Sequence, residues 1–297
     1  MDTFVLLTIT GLGLGAMYFL IASGLSLIYG LMGVLNFAHG AFLTVGAYGT
    51  WWSAEKLDGT IESLAPRFLV AALFGLAAGA LVAALVELVL IRPLYRRHIE
   101  QVLVTVGLSL VLVALVQGIW GPTERIFPAP EWLYDTTTVL DARIPNNSFL
   151  EVAVAALVLV GLLAFLRYTR YGLIIRAGVE NRAMVTALGV DVKKAFTLVF
   201  AIGGVAAAVA GILSGVHFGG IDPHQGTALL IFAFIVVVIG GLGSIVGSAA
   251  AAVIVGLLQQ WVNYYSAGVG DLSVVLLLAL VLLVRPTGLA GRWSVAH

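Results

Sequence analysis

The chain contains no cysteine, which excludes disulfides, thiolate metal sites and thiol catalysis. It is also poor in charge. Only 10% of its 297 residues are Asp, Glu, Lys or Arg, against about 25% in an ordinary soluble domain. The 15 basic and 15 acidic residues cancel, so no bulk attraction to nucleic acid is expected. The first residues, MDTF, lack a basic n-region. The first apolar run is therefore expected to stay in the mature chain rather than to act as a cleaved signal. No G-x-x-x-x-G-K-[ST], H-E-x-x-H or G-x-S-x-G pattern occurs. The sequence thus offers no phosphate-binding loop, zinc-protease helix or nucleophile elbow, and no catalytic constellation is expected.

What the chain has in abundance is apolar length. It is 61% hydrophobic, with a mean hydropathy of +1.09. Apolar runs cover approximately residues 4–29, 31–53, 68–91, 102–120, 149–166, 195–218, 227–242, 245–265 and 272–284. Several approach or exceed the roughly 20 residues that cross a bilayer as a helix. The alternation of a β-barrel strand is absent. The predicted fold is all-α, a polytopic transmembrane bundle of eight or nine spans, some broken or glycine-interrupted. One domain is expected over 1–297, with glycine and proline marking the joints.

Lysine and arginine divide the loops into two sets. One holds Arg92, Arg96, Arg97, Arg167, Arg170, Arg176, Arg182, Lys193, Lys194, Arg285 and Arg292; the other holds only Lys56, Arg67, Arg125 and Arg143. The positive-inside rule makes the first set cytoplasmic. Segment 121–148 then faces outward, and nine spans place the N-terminus outside.

Polar residues inside apolar runs are the candidates for function. In GVLNFAHGAF (33–42), Asn36 and His39 are three residues apart, which on a helix is one face. The pair is expected to point into the protein. Interhelical hydrogen bonding explains it as well as a substrate path lined by a broken helix does. Gly33, Gly40 and Gly46 add small-residue surface. IGGLGSIVGS (239–248) reads as a tight turn between spans, with a re-entrant element as the alternative. Glu87 is expected near the cytoplasmic interface, paired with a basic neighbour. HFGGIDPHQ (217–225) carries two histidines and an aspartate, but its spacing matches no strong ligand motif and its glycines and proline read as a turn.

The loop GLIIRAGVENRAMVTALGVDVKK (172–194) mixes charge with apolar residues. Glu180, Asn181 and Arg182 precede a helix-compatible stretch, Ala183 to Leu188. Ala187 shares its mildly amphipathic side, and Gly189 suits the C-terminal cap. An interfacial helix and a knob that docks into a cytoplasmic partner are both compatible with this pattern.

GLSLIYGLMGVLNFAHGAFLTVGAY (24–48), RAGVENRAMVTALGVDVKKAFTLVFAIGGVAAAVAGIL (176–213), FIVVVIGGLGSIVGSAAAAVIVGLLQ (234–259) and RPTGLAGR (285–292) together resemble the LivH-type permeases, membrane subunits of branched-chain amino-acid ABC transporters. The loop resembles a relaxed EAA-x-x-x-G motif. With Gly189 aligned, Ala183 stands at the glutamate position, and Glu180 lies one turn earlier. The resemblance implies a permease of the bacterial inner membrane, with residues 167–194 as its ATPase-coupling loop. Implied partners are a second related permease, two cytoplasmic ATPases carrying ATP and Mg, and a periplasmic substrate-binding protein. It implies Asn36, His39 and Gly40 on the substrate pathway. A urea or short-amide permease is the near alternative. A stand-alone secondary transporter or channel is the distant one, disfavoured because Glu87 has no second intramembrane acid beside it.

Overall fold

A computed structural model describes residues 2–290 apart from Val34, Arg96, Leu188 and Val190, and without the side chains of Leu31, residues 179–183, Thr186 and Ala187. Ten α-helices dominate it: α1 (Asp2–Met32), α2 (His39–Lys56), α3 (Leu64–Val86), α4 (His98–Trp120), α5 (Asn146–Tyr168), α6 (Arg170–Ala187), α7 (Val192–Phe218), α8 (Gln225–Gly240), α9 (Ile245–Tyr265) and α10 (Gly270–Val284). Nine of them correspond to the nine apolar runs; α6 is the polar exception. Among the described residues, six helices are long and apolar enough to cross a membrane: α1, α3 with its extension to Leu94, α4, α5, α7 and α9. α8 and α10, with 16 and 15 residues, are shorter. At 1.5 Å per residue they span about 24 and 23 Å. Proline does not interrupt an α-helix interior: Pro66 lies in the first turn of α3, Pro93 in a 3₁₀ turn and Pro286 after α10, and the rest fall between helices.

Chain direction sorts the bundle into two ends. α1 and α9 run antiparallel, with Phe4 against Trp261 at one end and Gly30 against Gly243 at the other. The first end is closed by a cap that the all-α expectation missed. Within 121–145, strand β1 (Arg125–Ile126) pairs antiparallel with β4 (Gly220–Ile221), and β2 (Thr136–Val139) pairs with β3 (Ala142–Pro145). Leu140 and Asp141 turn that hairpin with positive φ of 50° and 65°, as a two-residue loop requires. Phe127, Leu133 and Ile144 are buried beneath the cap, each burial worth roughly 1.5–3 kcal/mol. The segment expected to face outward is thus a folded lid, because Phe127, Ala129, Leu133, Ala142 and Ile144 are buried, while Ile126, Trp132 and Leu140 stay exposed.

Among the described residues, the two sets of basic residues fall at opposite ends. Arg67 pairs with Asp58, and Arg125 lies over the Trp51 ring, both at the cap end. Arg92 and Lys193 sit at the other end, where α7 begins and α6 lies. Between the ends, α2, α3 and α7 cross so closely that only glycine fits. A Cβ on Gly204 would stand 2.5 Å from the Ala83 Cβ and closer still to the Gly79 carbonyl, and one on Gly79 would stand 2.7 Å from the Ala208 Cβ. In a bilayer such contact replaces the missing hydrophobic force between helices.

Candidate functional site

The run expected as one span over 31–53 is broken. α1 continues to Met32, Gly33 turns with φ +67°, and α2 begins only at His39. The imidazole of His39 lies against Gly24, where a Cβ would meet its Cε1 at 2.8 Å. Gly24 is eight residues before the end of α1, about 12 Å along its axis. The N-terminus of α2 is therefore well inside the bundle. Asn36 and His39 do not share a helical face, because Asn36 precedes the helix. Both are nonetheless buried.

Irregular backbone at this depth is tolerated only when its polar groups find partners, and here they do. Asn36 Oδ1 accepts from the Ala38 N–H at 3.1 Å, and its carbonyl accepts from the His39 N–H at 3.2 Å. Thr105 Oγ1 of α4 accepts from the Phe37 N–H at 3.3 Å. His39 Nε2 lies 3.1 Å from the Ile21 carbonyl and so carries the hydrogen, while its Nδ1 has no partner. Gly40 lets α2 touch α8: a Cβ there would collide with the Gly226 carbonyl. The Asn36 side chain is left with one unmet group, the Nδ2 donor. A buried donor without a partner costs about 1–3 kcal/mol.

Asn36 borders a cavity of about 250 Å³ between α1, α4 and α8. Its walls are apolar, with Leu25, Phe37, Leu230 and Phe234 among them, and the hydroxyls of Ser109 and Thr227 are the other polar groups. A second, polar cavity of about 610 Å³ opens at the cap end. Tyr18, Gln259 and Asp271 are chained there by hydrogen bonds of 2.8 and 2.7 Å, with Glu124, Asp222 and His217 around them. Gly40 and His39 do not line either cavity; they hold the helices that do.

Glu87 is fully buried in a π-helical turn, Glu87–Ile91, that extends α3. Arg92 Nε and Nη2 donate to its two oxygens at 3.2 Å, Thr197 Oγ1 donates at 2.7 Å, and the Tyr95 hydroxyl also donates. The expected basic neighbour is thus Arg92. The expectation of a single intramembrane acid fails. Glu151 of α5 is equally buried, and its Oε1 lies 2.8 Å from His217 Nδ1 of α7. Glu151 stands two residues inside the apolar run 149–166, and a single acid near the start of a run is the only signal the sequence carries for it. Thr105 and Ser109 went unremarked, although with Gln101 they recur every four residues along α4 and so mark one buried face.

The glycine-rich stretch 239–248 is a tight turn. Ser244 Oγ caps α9 by accepting from the Gly247 N–H at 3.0 Å, and Leu289 and Ala290 donate back to Ile239 and Gly240. The basic loop is more helical than expected. α6 begins at Arg170, thirteen residues before Ala183, and is anchored by buried Ile175 and Val185, with Met184 exposed. Gly189 has φ +79°, which suits the predicted cap. Of the coupling-loop residues, Glu180, Asn181, Arg182, Ala183 and Ala187 lie on α6 by backbone alone, and Leu188 lies outside the described residues.

Residues 7–285 match the family described as "Branched-chain amino acid transport system / permease component". The chain is 33% identical over 292 residues to the high-affinity branched-chain amino acid transport system permease protein LivH of Salmonella typhimurium, covering 95% of this chain and 94% of the relative. It is 33% identical over 294 residues to LivH of Escherichia coli K12, with the same coverage. It is 31% identical over 298 residues to the permease protein BraD of Pseudomonas aeruginosa, covering 96% and 94%. No solved structure matches.

Proposed function

The chain belongs to the branched-chain amino acid transport system permease family, and from that membership we propose that it imports branched-chain or related aliphatic amino acids as one subunit of an ABC importer in a bacterial inner membrane. It is a multi-pass helical membrane protein and a permease component, not an enzyme. In this reading the whole chain is one permease domain. It pairs with a second related permease, takes solute from an external binding protein, and is driven by two ATPases that carry ATP and Mg. Asn36, His39 and Gly40 shape the path where α2 begins.

The observation that carries the reading is α6. It is an 18-residue helix of low apolarity, separated from α5 by the single extended residue Thr169 and leading to α7, wedged at the basic end by Ile175 and Val185. A chain with no nucleotide motif must receive work through a contact, and a rigid helix tied to two spans transmits displacement better than a loop. Ala183→Arg adds a long charged side chain to the proposed contact and is expected to abolish co-purification of the ATPases. Gly189→Val forces a β-branched residue into φ +79°, at about 1–3 kcal/mol, and is expected to lower solute-stimulated ATP hydrolysis while leaving assembly intact. Wild-type values in both variants would place the docking elsewhere.

A second reading, a proton-coupled carrier, is favoured by the buried Glu151–His217 pair. Uptake that persists without ATP and collapses with an uncoupler selects it over the first. The proposed sidedness puts the cap outside and α6 in the cytoplasm. In this cysteine-free chain, Thr137→Cys is expected to react with an impermeant reagent on intact cells and Lys194→Cys to be protected; the reverse pattern inverts the topology.

A further inference from the structure

We infer that the polar cavity at the cap end binds a solute of net positive charge, a basic amino acid whose ammonium groups are held by Glu124, Asp222 and Asp271. The inference goes beyond the permease reading: it states binding by this chain, and it names a solute charge that the reading does not.

The fold gathers the three carboxylates from distant segments. Glu124 precedes β1, Asp222 follows β4 and Asp271 stands in the first turn of α10. All three line one cavity of about 610 Å³, within the about 300–1,000 Å³ of small-molecule sites. Among the described residues none of the three is in an ion pair. Asp222 Oδ1 accepts from the His224 N–H at 2.8 Å, and Asp271 Oδ1 accepts from Gln259 Nε2 at 2.7 Å. Each second oxygen is left for a visitor. Glu124 is exposed, and Gly220 gives it its seat, since a Cβ there would collide with the carboxylate.

No positive group answers these charges. No Lys or Arg lines the cavity. Arg125, next to Glu124, lies over the Trp51 ring and donates to the Trp120 carbonyl at 2.6 Å. His217 lines the cavity, but its Nδ1 is 2.8 Å from Glu151 Oε1. That pair adds no net positive charge whether the imidazole is neutral or protonated. Charge of one sign in a walled cavity concentrates solutes of the opposite sign.

The remaining groups fix the class of cation. Gln225 Oε1 accepts from the Asp222 N–H at 3.4 Å, and Asn263 Oδ1 accepts from the Gly270 N–H at 3.0 Å. Each amide therefore has its nitrogen free. Both residues are half-buried, and neither nitrogen is sealed from solvent. Gln259 is 5% exposed and lines the cavity; it spends one of its two amide hydrogens on Asp271 and has the other unpartnered. These neutral donors suit one carboxylate on the ligand, which an inorganic cation lacks. Among the described residues no group of three His, Asp or Glu is placed to hold a metal ion. Leu14, Leu229 and the stacked rings of Tyr18 and Phe232, 5.2 Å apart, supply an apolar wall, against which a methylene stem packs while its charged head stays among polar groups. One carboxylate, two positive groups and an aliphatic stem describe a basic amino acid.

The test measures binding of radiolabelled L-lysine, L-leucine and L-glutamate to the full chain in nanodiscs, purified with the subunits that accompany it and without an external binding protein. At low salt, lysine is expected to bind at least about fivefold more tightly than leucine, the worth of one charge pair about 4 Å apart in water, and glutamate most weakly. At about 1 M salt, where charges are screened within about 3 Å, the preference is expected to fall toward parity. Glu124→Gln and Asp222→Asn remove a charge and keep the shape, and the asparagine retains the oxygen that accepts from His224. Each is expected to lower lysine affinity about fivefold, with a smaller change for leucine. Gly220→Ala displaces the Glu124 carboxylate without removing any charge and is expected to act in the same direction. Asp141→Asn removes an acid from the exposed hairpin tip, outside the cavity, and is expected to leave lysine binding unchanged. Equal affinity for lysine and leucine in the parent overturns the site. So does lysine affinity that neither carboxylate variant lowers, or that Asp141→Asn lowers as much as they do. Import is read separately, by uptake: a complete importer that carries leucine while its permease fails these binding tests loses this inference alone, and one that carries no amino acid loses the import reading alone.

Discussion

Leucine in place of Gly204 is expected to abolish recovery of the folded permease. The position is the point where α7 crosses α3, and the obstacle is backbone. A Cβ would stand 2.5 Å from the Ala83 Cβ and nearer still to the Gly79 carbonyl. Gly79 in turn faces the Gly204 carbonyl at 2.9 Å from its own would-be Cβ, so neither helix can retreat without leaving α2. Overpacking relieved by side-chain movement costs about 1–3 kcal/mol, and a crossing that must separate two backbones costs more. That is a large share of the roughly 5–15 kcal/mol by which proteins are stable. The control is Gly161→Leu on α5, where a Cβ meets nothing within 4 Å. Monodisperse protein after detergent extraction is the measurement. Equal recovery of the two variants would show that α3 and α7 are not in contact at Gly79 and Gly204.

Arg92→Ala is expected to destabilise the chain far more than Glu87→Gln. The asymmetry follows from exposure. The Glu87 side chain is fully buried, whereas that of Arg92 is 32% exposed. Removing the arginine strands a carboxylate among the Thr197 and Tyr95 hydroxyls, and breaking a buried pair in this way costs about 3–5 kcal/mol. The accessible arginine places the expected loss at the lower end. Glutamine keeps the shape and a hydrogen bond to Thr197, so its cost is closer to the about 1 kcal/mol of one hydrogen bond. Replacing both residues with leucine is expected to recover most of the loss, because an apolar pair needs no desolvation. Thermal unfolding in detergent reads all three. Greater loss for Glu87→Gln than for Arg92→Ala would mean that the carboxylate is satisfied without the arginine.

Nine of the ten helices were legible in the sequence because each contains an apolar run between glycine, proline or polar joints. The division of basic residues between two ends was legible for the same reason, since alternate loops must emerge on alternate sides. The cap was not. β1 and β4 are two residues each and lie 95 positions apart in sequence (125 against 220), so nothing local announces their pairing. The length of α6 was underestimated because only its last turn has a clear stop signal, Gly189, whereas its start follows α5 after a single residue, Thr169.

The candidate site was half legible. An amide and an imidazole in an apolar run marked the place, and they are buried as expected. By itself the sequence determined the membrane setting, the helical class, the family and the positions of the unusual polar residues, because these depend on composition and one-dimensional pattern. Only the tertiary structure decided that α2 begins as late as His39, that Asn36 lies in the turn before it rather than on it, and that Glu151 is paired with His217. Those outcomes depend on partners supplied from distant segments: Thr105 for the Phe37 N–H, Gly226 for the close approach of Gly40, and α7 for the buried carboxylates. A run of apolar residues records that a segment avoids water; which neighbour satisfies its few polar atoms is set by the packing of the other helices.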